Sequence, residues 1–127
     1  SIFKIAVKNQ IKLFGICHGA QFLADKLKLN LSRSKLHIGN HSSIFYFKNK
    51  KIKRKVNSFH DTIIKKNKNA NSVNCFGYAF DNSVEAFHHQ KLKILGIMWH
   101  PERYKNIKRF DKILLRKFYA TNNLSRW

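Results

Sequence analysis

Apolar positions along this chain fall into two periods, and the switches between them mark its elements. Ile11 to Ile16 is an almost continuous apolar run and predicts a buried strand. Ahead of it, Ile2, Phe3, Ala6 and Val7 are spaced as the last turns of a helix packed on a sheet. After Ala20, the residues Phe22, Leu23, Ala24 and Leu27 make a helical stripe with Lys26 and Lys28 facing water, expected to end near Asn30. Residues 31–42 show no period and read as a loop. Ile44 to Phe47, the polar turn Lys48 to Lys51, and Ile52 to Val56 predict a β-hairpin with one wet face. Asn57 to Asp61 reads as a polar stop, Thr62 to Lys68 as a short helix and Asn69 to Ser72 as a loop. Three strands follow, Val73 to Phe80, Val84 to Phe87 and Ile94 to Trp99, separated by Asp81-Asn82-Ser83 and by Gln90 to Lys93. Pro101 stops the last of them. Ile107, Phe110, Ile113, Leu114 and Phe118 then form a helical stripe ending near Ala120.

This order predicts a single α/β domain over residues 1–127, long enough to bury a core. No run approaches the roughly 18 apolar residues of a membrane span. Cys17 and Cys75 are too few for a disulfide framework and suit a reducing, cytoplasmic compartment. The formal charge of +20 points to an anionic partner, and a basic nucleic-acid-binding module is the reading from another class. However, Lys, Asn, Ile and Phe are all abundant, as A/T-rich codons make them, and Lys far outnumbers Arg. Genomic bias accounts for that combination better than selection for nucleic acid does. The densest block, Lys50, Lys51, Lys53, Arg54 and Lys55, reads as the solvated face of the hairpin.

The chemistry concentrates in two places. Gly15-Ile16-Cys17-His18-Gly19 lies where the first strand meets the first amphipathic helix. A thiol at a helix N-terminus is pushed towards thiolate, and the glycines allow a tight turn and close approach of a substrate. The amide of His18, just after the sulfur, is a natural oxyanion donor. Trp99-His100-Pro101-Glu102 ends a buried strand, and His100 and Glu102 share one face of an extended backbone, where the carboxylate can orient the imidazole. The histidines form no recognised zinc spacing with the cysteines, so no metal and no cofactor are expected.

Taken together, these motifs resemble the class I glutamine amidotransferase superfamily. Gly15-Ile16-Cys17-His18-Gly19-Ala20-Gln21 is followed about eighty residues later by Gly96-Ile97-Met98-Trp99-His100-Pro101-Glu102. Val56-Asn57-Ser58-Phe59-His60 is similar to the substrate-side segment of the γ-glutamyl hydrolase, peptidase C26-type branch. Asp81-Asn82-Ser83-Val84-Glu85-Ala86 resembles the hairpin before the His strand, with Asn82 in place of the usual Gly. Trp99-His100-Pro101-Glu102-Arg103 and the Lys/Asn-rich style also resemble bacterial γ-glutamyl-CDP-amidate hydrolases.

The resemblance implies a flavodoxin-like three-layer sandwich and a triad of Cys17, His100 and Glu102 that hydrolyses γ-glutamyl amides through a thioester. It implies His18 and Gly15 at the oxyanion site, and Gln21, Ser58, Phe59 and His60 as binders of the glutamyl group. A glutaminase passing ammonia to a synthase partner is the alternative within the superfamily. Family members carry about a third of the domain before the elbow, including a second oxyanion donor. With the elbow at position 17, the chain is expected to be N-terminally incomplete, lacking its first strands and helices, and weak or inactive alone.

Overall fold

The computed structural model describes residues 1–35 and 37–121. Helix α1, Ile2–Lys8, begins where the Ser1 hydroxyl accepts from the Lys4 amide. Strand β1 is Leu13–Ile16 and helix α2 is His18–Lys26, with Cys17 between them as its N-cap. Strands β2, Asn30–Arg33, β3, Ile38–Phe47, β4, Lys50–Phe59, and β5, Thr62–Lys65, follow. Strands β6, Asn74–Ala79, β7, Val84–His89, and β8, Ile94–Ile97, lead to a 3-10 turn at Pro101–Arg103 and helix α3, Arg109–Thr121.

The strands form one sheet whose main path runs β1-β8-β7-β6-β3-β4, with β5 joining β2 to β7. β1 and β8 pair in parallel, Gly15 beside Gly96 and Ile16 beside Ile97, and the other described pairs are antiparallel. Alternation along the last strand sorts the core into two faces. Ile94 and Met98 join Phe87 and Ile64 under Ala20, Leu23, Ala24 and Leu27 of α2. Leu95, Ile97 and Trp99 join Phe45 and Phe76 under Leu114 and Phe118 of α3. Helix, sheet and helix therefore stack as the expected three layers.

Several segments depart from their sequence reading. The span read as a loop holds β2 and the start of β3, and the polar stop at Asn57 to Asp61 is largely the end of β4. The hairpin is accordingly longer than its apolar alternation, paired from Phe47 and Lys50 out to Ile38 and Phe59. Its basic block is exposed, as expected. Thr62 to Lys65 is a strand rather than part of a helix, because the β-branched Thr62, Ile63 and Ile64 pair with β2. In α2 the buried stripe starts at Ala20, so Phe22 turns outward and meets the edge of Phe3. Ile107 precedes α3 and is exposed.

One core residue sets an acid limit on stability. His88 of β7 is buried and accepts from the Asn74 amide. Burial, and then the neighbouring His89, pushes its imidazole down to about 4. The folded state thus binds this proton less readily than the unfolded chain. Stability is held above the ordinary histidine value and falls as pH drops from about 6.5 to 4, by up to about 3 kcal/mol. His88→Gln keeps an acceptor for Asn74 without titrating. Denaturant unfolding across this window should show the wild type losing more stability than the variant, and equal slopes would sink the assignment.

Candidate active site

The site is built from the loops after two neighbouring parallel strands. β1 ends at Ile16 and β8 at Ile97, and the Cys17 amide donates to the Ile97 carbonyl at 2.8 Å. This bond ties the turn holding the thiol to the strand that leads to His100. The turn is sharp, with Cys17 at φ 50° and ψ −103°, a conformation an L-residue adopts at a cost of about 1–3 kcal/mol. The Cys17 carbonyl then accepts from the Gln21 amide and starts α2.

Cys17 is buried, and its electrostatics differ from a simple helix-terminus picture. Burial raises the thiol pKa above its ordinary value. The hydrogen bond from the His18 amide and the charge of Arg103 pull it down, while Glu102 and Glu85 push it up. The His18 amide at the start of α2 favours the thiolate, but burial outweighs that pull.

His100 lies just beyond β8, the strand to which the Cys17 turn is bonded. Its Nδ1 lies 2.6 Å from Glu102 Oε1, a pair that holds the ring and leaves Nε2 free to exchange a proton. The 3-10 turn begun by Pro101 brings Glu102 back under the imidazole. The backbone of His100 is fixed separately by Asn57 of β4, buried beside it. The Asn57 side-chain amide donates to the His100 carbonyl at 3.0 Å, and its oxygen accepts from the His100 amide at 2.8 Å. Trp99 is pinned from the other side, its indole N–H donating to buried Asp111 of α3 at 2.9 Å. Both the backbone of His100 and its neighbour Trp99 are thus anchored from other elements.

The remaining predicted residues divide. Gly15 lies under α2, where an added Cβ would come 2.6 Å from the Gly19 backbone, so its role is packing. Gln21 is buried rather than on the helix surface, with Oε1 3.1 Å from His18 Nδ1 and Nε2 reaching the Thr62 carbonyl at 3.5 Å. Phe59 is half exposed, its ring 6.1 Å from that of His100, and the Arg103 guanidinium lies 4.6 Å over its face. Ser58 is fully buried and, by strand alternation, faces away from Asn57 and Phe59. His60 packs against His37, ring to ring at 4.9 Å, instead of against His100.

Sequence reasoning missed the Asn57 clamp and the position of Arg103. Two adjacent polar residues, Asn57 and Ser58, at a strand end carry no signal of which backbone they will grip. Arg103 had one: it directly follows the His-Pro-Glu turn.

Known proteins resemble this chain in family and in fold. The family model of the class-I glutamine amidotransferases matches residues 1–121. Gamma-glutamyl-CDP-amidate hydrolase of Campylobacter jejuni is 35% identical over 119 residues, covering 94% of this chain and 56% of that protein. The chain thus spans little more than half the length of this curated relative. The structure of a GMP synthase component from Thermoplasma acidophilum superposes with a TM-score of 0.74 at 20% identity, over 95% of this chain and 62% of that one. A glutamine amidotransferase from Thermotoga maritima gives a TM-score of 0.68 at 20% identity, over 98% and 57%. These two establish the flavodoxin-like α/β fold.

Proposed function

The chain belongs to the class-I glutamine amidotransferase family, and from that footing we propose that Cys17, His100 and Glu102 hydrolyse γ-glutamyl amide bonds through a thioester. The observation that carries the reading is the 2.6 Å His100–Glu102 pair just beyond β8, the strand bonded to the Cys17 turn. His100 Nε2 takes the Cys17 proton as the sulfur attacks the γ-carbonyl, and Glu102 stabilises the resulting imidazolium. The His18 amide, next along the chain from the sulfur, meets the oxyanion. Collapse breaks the C–N bond, and the leaving nitrogen takes the proton from His100. Water then gives a proton to His100 and attacks the thioester, releasing glutamate. The same proton returns to the Cys17 sulfur.

The substrate class follows from the curated relative and from charge. A γ-glutamyl amide whose nitrogen carries a nucleoside diphosphate would set its phosphates beside the site, where Arg103 lies stacked on Phe59. Both groups are exposed at the mouth rather than buried in it.

A glutamine-mimicking diazoketone tests the reading directly. It should label Cys17 at one per chain and leave Cys75 unmodified. Cys75 lies inside β6, where burial pushes its thiol up to about 11 and Lys66 only partly offsets this. Mass spectrometry of the peptides separates the two. Labelling at Cys75 equal to that at Cys17, or none at Cys17, would remove the proposal.

A further inference from the structure

Away from the thiol, a second group of ionisable side chains meets under Phe80. His37 and Glu85 are fully buried and the His41 side chain is 10% exposed. His37 and His41 flank the start of β3, and Glu85 comes from β7. Phe80 stacks on the His37 ring at 5.3 Å and covers the group from solvent. Sequence spacing concealed this set, since His37 and His41 flank the start of β3 and Glu85 lies far along the chain in β7.

The hydrogen bonding inside the group is incomplete. Asp81 Oδ2 lies 2.8 Å from His37 Nε2, so that nitrogen carries the proton the carboxylate accepts. Asp81 is itself held by Ser83, whose hydroxyl donates at 2.6 Å and whose amide donates at 3.0 Å. His37 Nδ1 then faces Glu85 Oε1 at 3.5 Å with no hydrogen bond to it. With His37 neutral, two lone pairs oppose each other in a buried space. His41 Nε2 approaches the same oxygen at 3.0 Å, while Glu85 Oε2 is buried and unpartnered. Glu85 thus turns Oε1 towards a bare imidazole nitrogen and leaves Oε2 bare. Against burial, the two carboxylates raise the His37 pKa, which marks the place as one that draws positive charge, a proton or a metal ion.

We propose that His37 Nδ1, His41 Nε2 and Glu85 form a binding site for a divalent metal of the zinc type. The donor atoms all lie within 4.8 Å of one another. A tetrahedral ion with bonds of about 2.0–2.1 Å holds its ligands about 3.3 Å apart. The observed separations of 3.0 and 3.5 Å bracket that value. Two imidazoles and a carboxylate are a borderline donor set, suited to Zn²⁺ or Co²⁺ and poor for Ca²⁺ or Mg²⁺. Asp81 completes the arrangement as the outer carboxylate that fixes the tautomer of a ligating histidine. Glu85 is also among the charges acting on Cys17, so an ion here would be felt at the thiol.

The test is metal binding, read independently of hydrolysis. Tag-free chain is titrated with Zn²⁺ against a chromophoric chelator, and with Co²⁺ by visible absorption. We expect one equivalent bound and a Co²⁺ spectrum of low coordination number. Both should be lost in His41→Gln, and Asp81→Asn should weaken the affinity about 10–100-fold. The Asp81 side chain is 22% exposed, so this second variant keeps the test alive should the first not fold. His89→Gln, outside the group, should bind as the wild type does. Failure to bind one equivalent, which would leave a proton-bridged imidazole–carboxylate network, overturns the site. Undiminished binding by His41→Gln or Asp81→Asn does the same.

Discussion

Cys17→Ala should abolish turnover of a γ-glutamyl amide, lowering the rate by roughly four to six orders of magnitude. Removing the sulfur removes the covalent route itself, and only binding and the His18 amide remain to help water. His100→Ala should cost nearly as much, because burial raises the thiol pKa and, in the proposed mechanism, His100 is the base that takes its proton. The two changes together should cost little more than either alone, as expected for groups that act in one proton transfer. Glu102→Ala should cost less, since the Glu102 side chain is 51% exposed and water can partly replace it. Labelling of the resting thiol adds a pH signature. With its pKa raised by burial and by Glu102 and Glu85, the rate should keep climbing as pH rises past the ordinary thiol range. A labelling rate already flat at neutral pH would mean a preformed thiolate and would contradict this mechanism. So would a Cys17→Ala turnover within about tenfold of wild type.

The Cys17 turn and the His100–Glu102 pair were legible because their signals are local. A Gly-bounded Cys at a strand–helix junction and a His-Pro-Glu run after an apolar strand each lie within a few residues. The backbone then delivers them to adjacent parallel strands, β1 and β8. The central strands were legible for a related reason: Val84 to Phe87 and Ile94 to Ile97 are buried on both faces, and apolar residues dominate them. What failed to show was decided by distant partners. Thr62 to Lys65 is a strand because β2 offers an edge to it, and residues 38–43 are a strand because β4 does, although their own sequence is polar. His37, His41 and Glu85 look unrelated until β3 and β7 are laid in one sheet, and Asn57 looks like a turn residue until it grips His100.

The two glycines around the thiol should separate packing from access. Gly15→Ala places a Cβ 2.6 Å from the Gly19 carbonyl carbon and 2.7 Å from the Ala20 nitrogen. These are backbone atoms of α2, so no side chain can swing away, and the helix must lift from β1. Overpacking of this kind costs about 1–3 kcal/mol. The displaced element is the one that begins at Cys17, so labelling should slow even in the fraction that folds. Gly19→Ala is the control. Nothing lies within 4 Å of the added Cβ, and α2 gains a better helix former worth roughly 0.5–1 kcal/mol. That variant should unfold at higher denaturant than wild type. The added methyl lies more than 4 Å from the sulfur, so labelling of Cys17 should stay at the wild-type rate. Denaturant unfolding and diazoketone labelling of both variants give the four values needed. If Gly15→Ala is as stable and as reactive as wild type, the close approach of α2 to β1 is not what holds Cys17 in place.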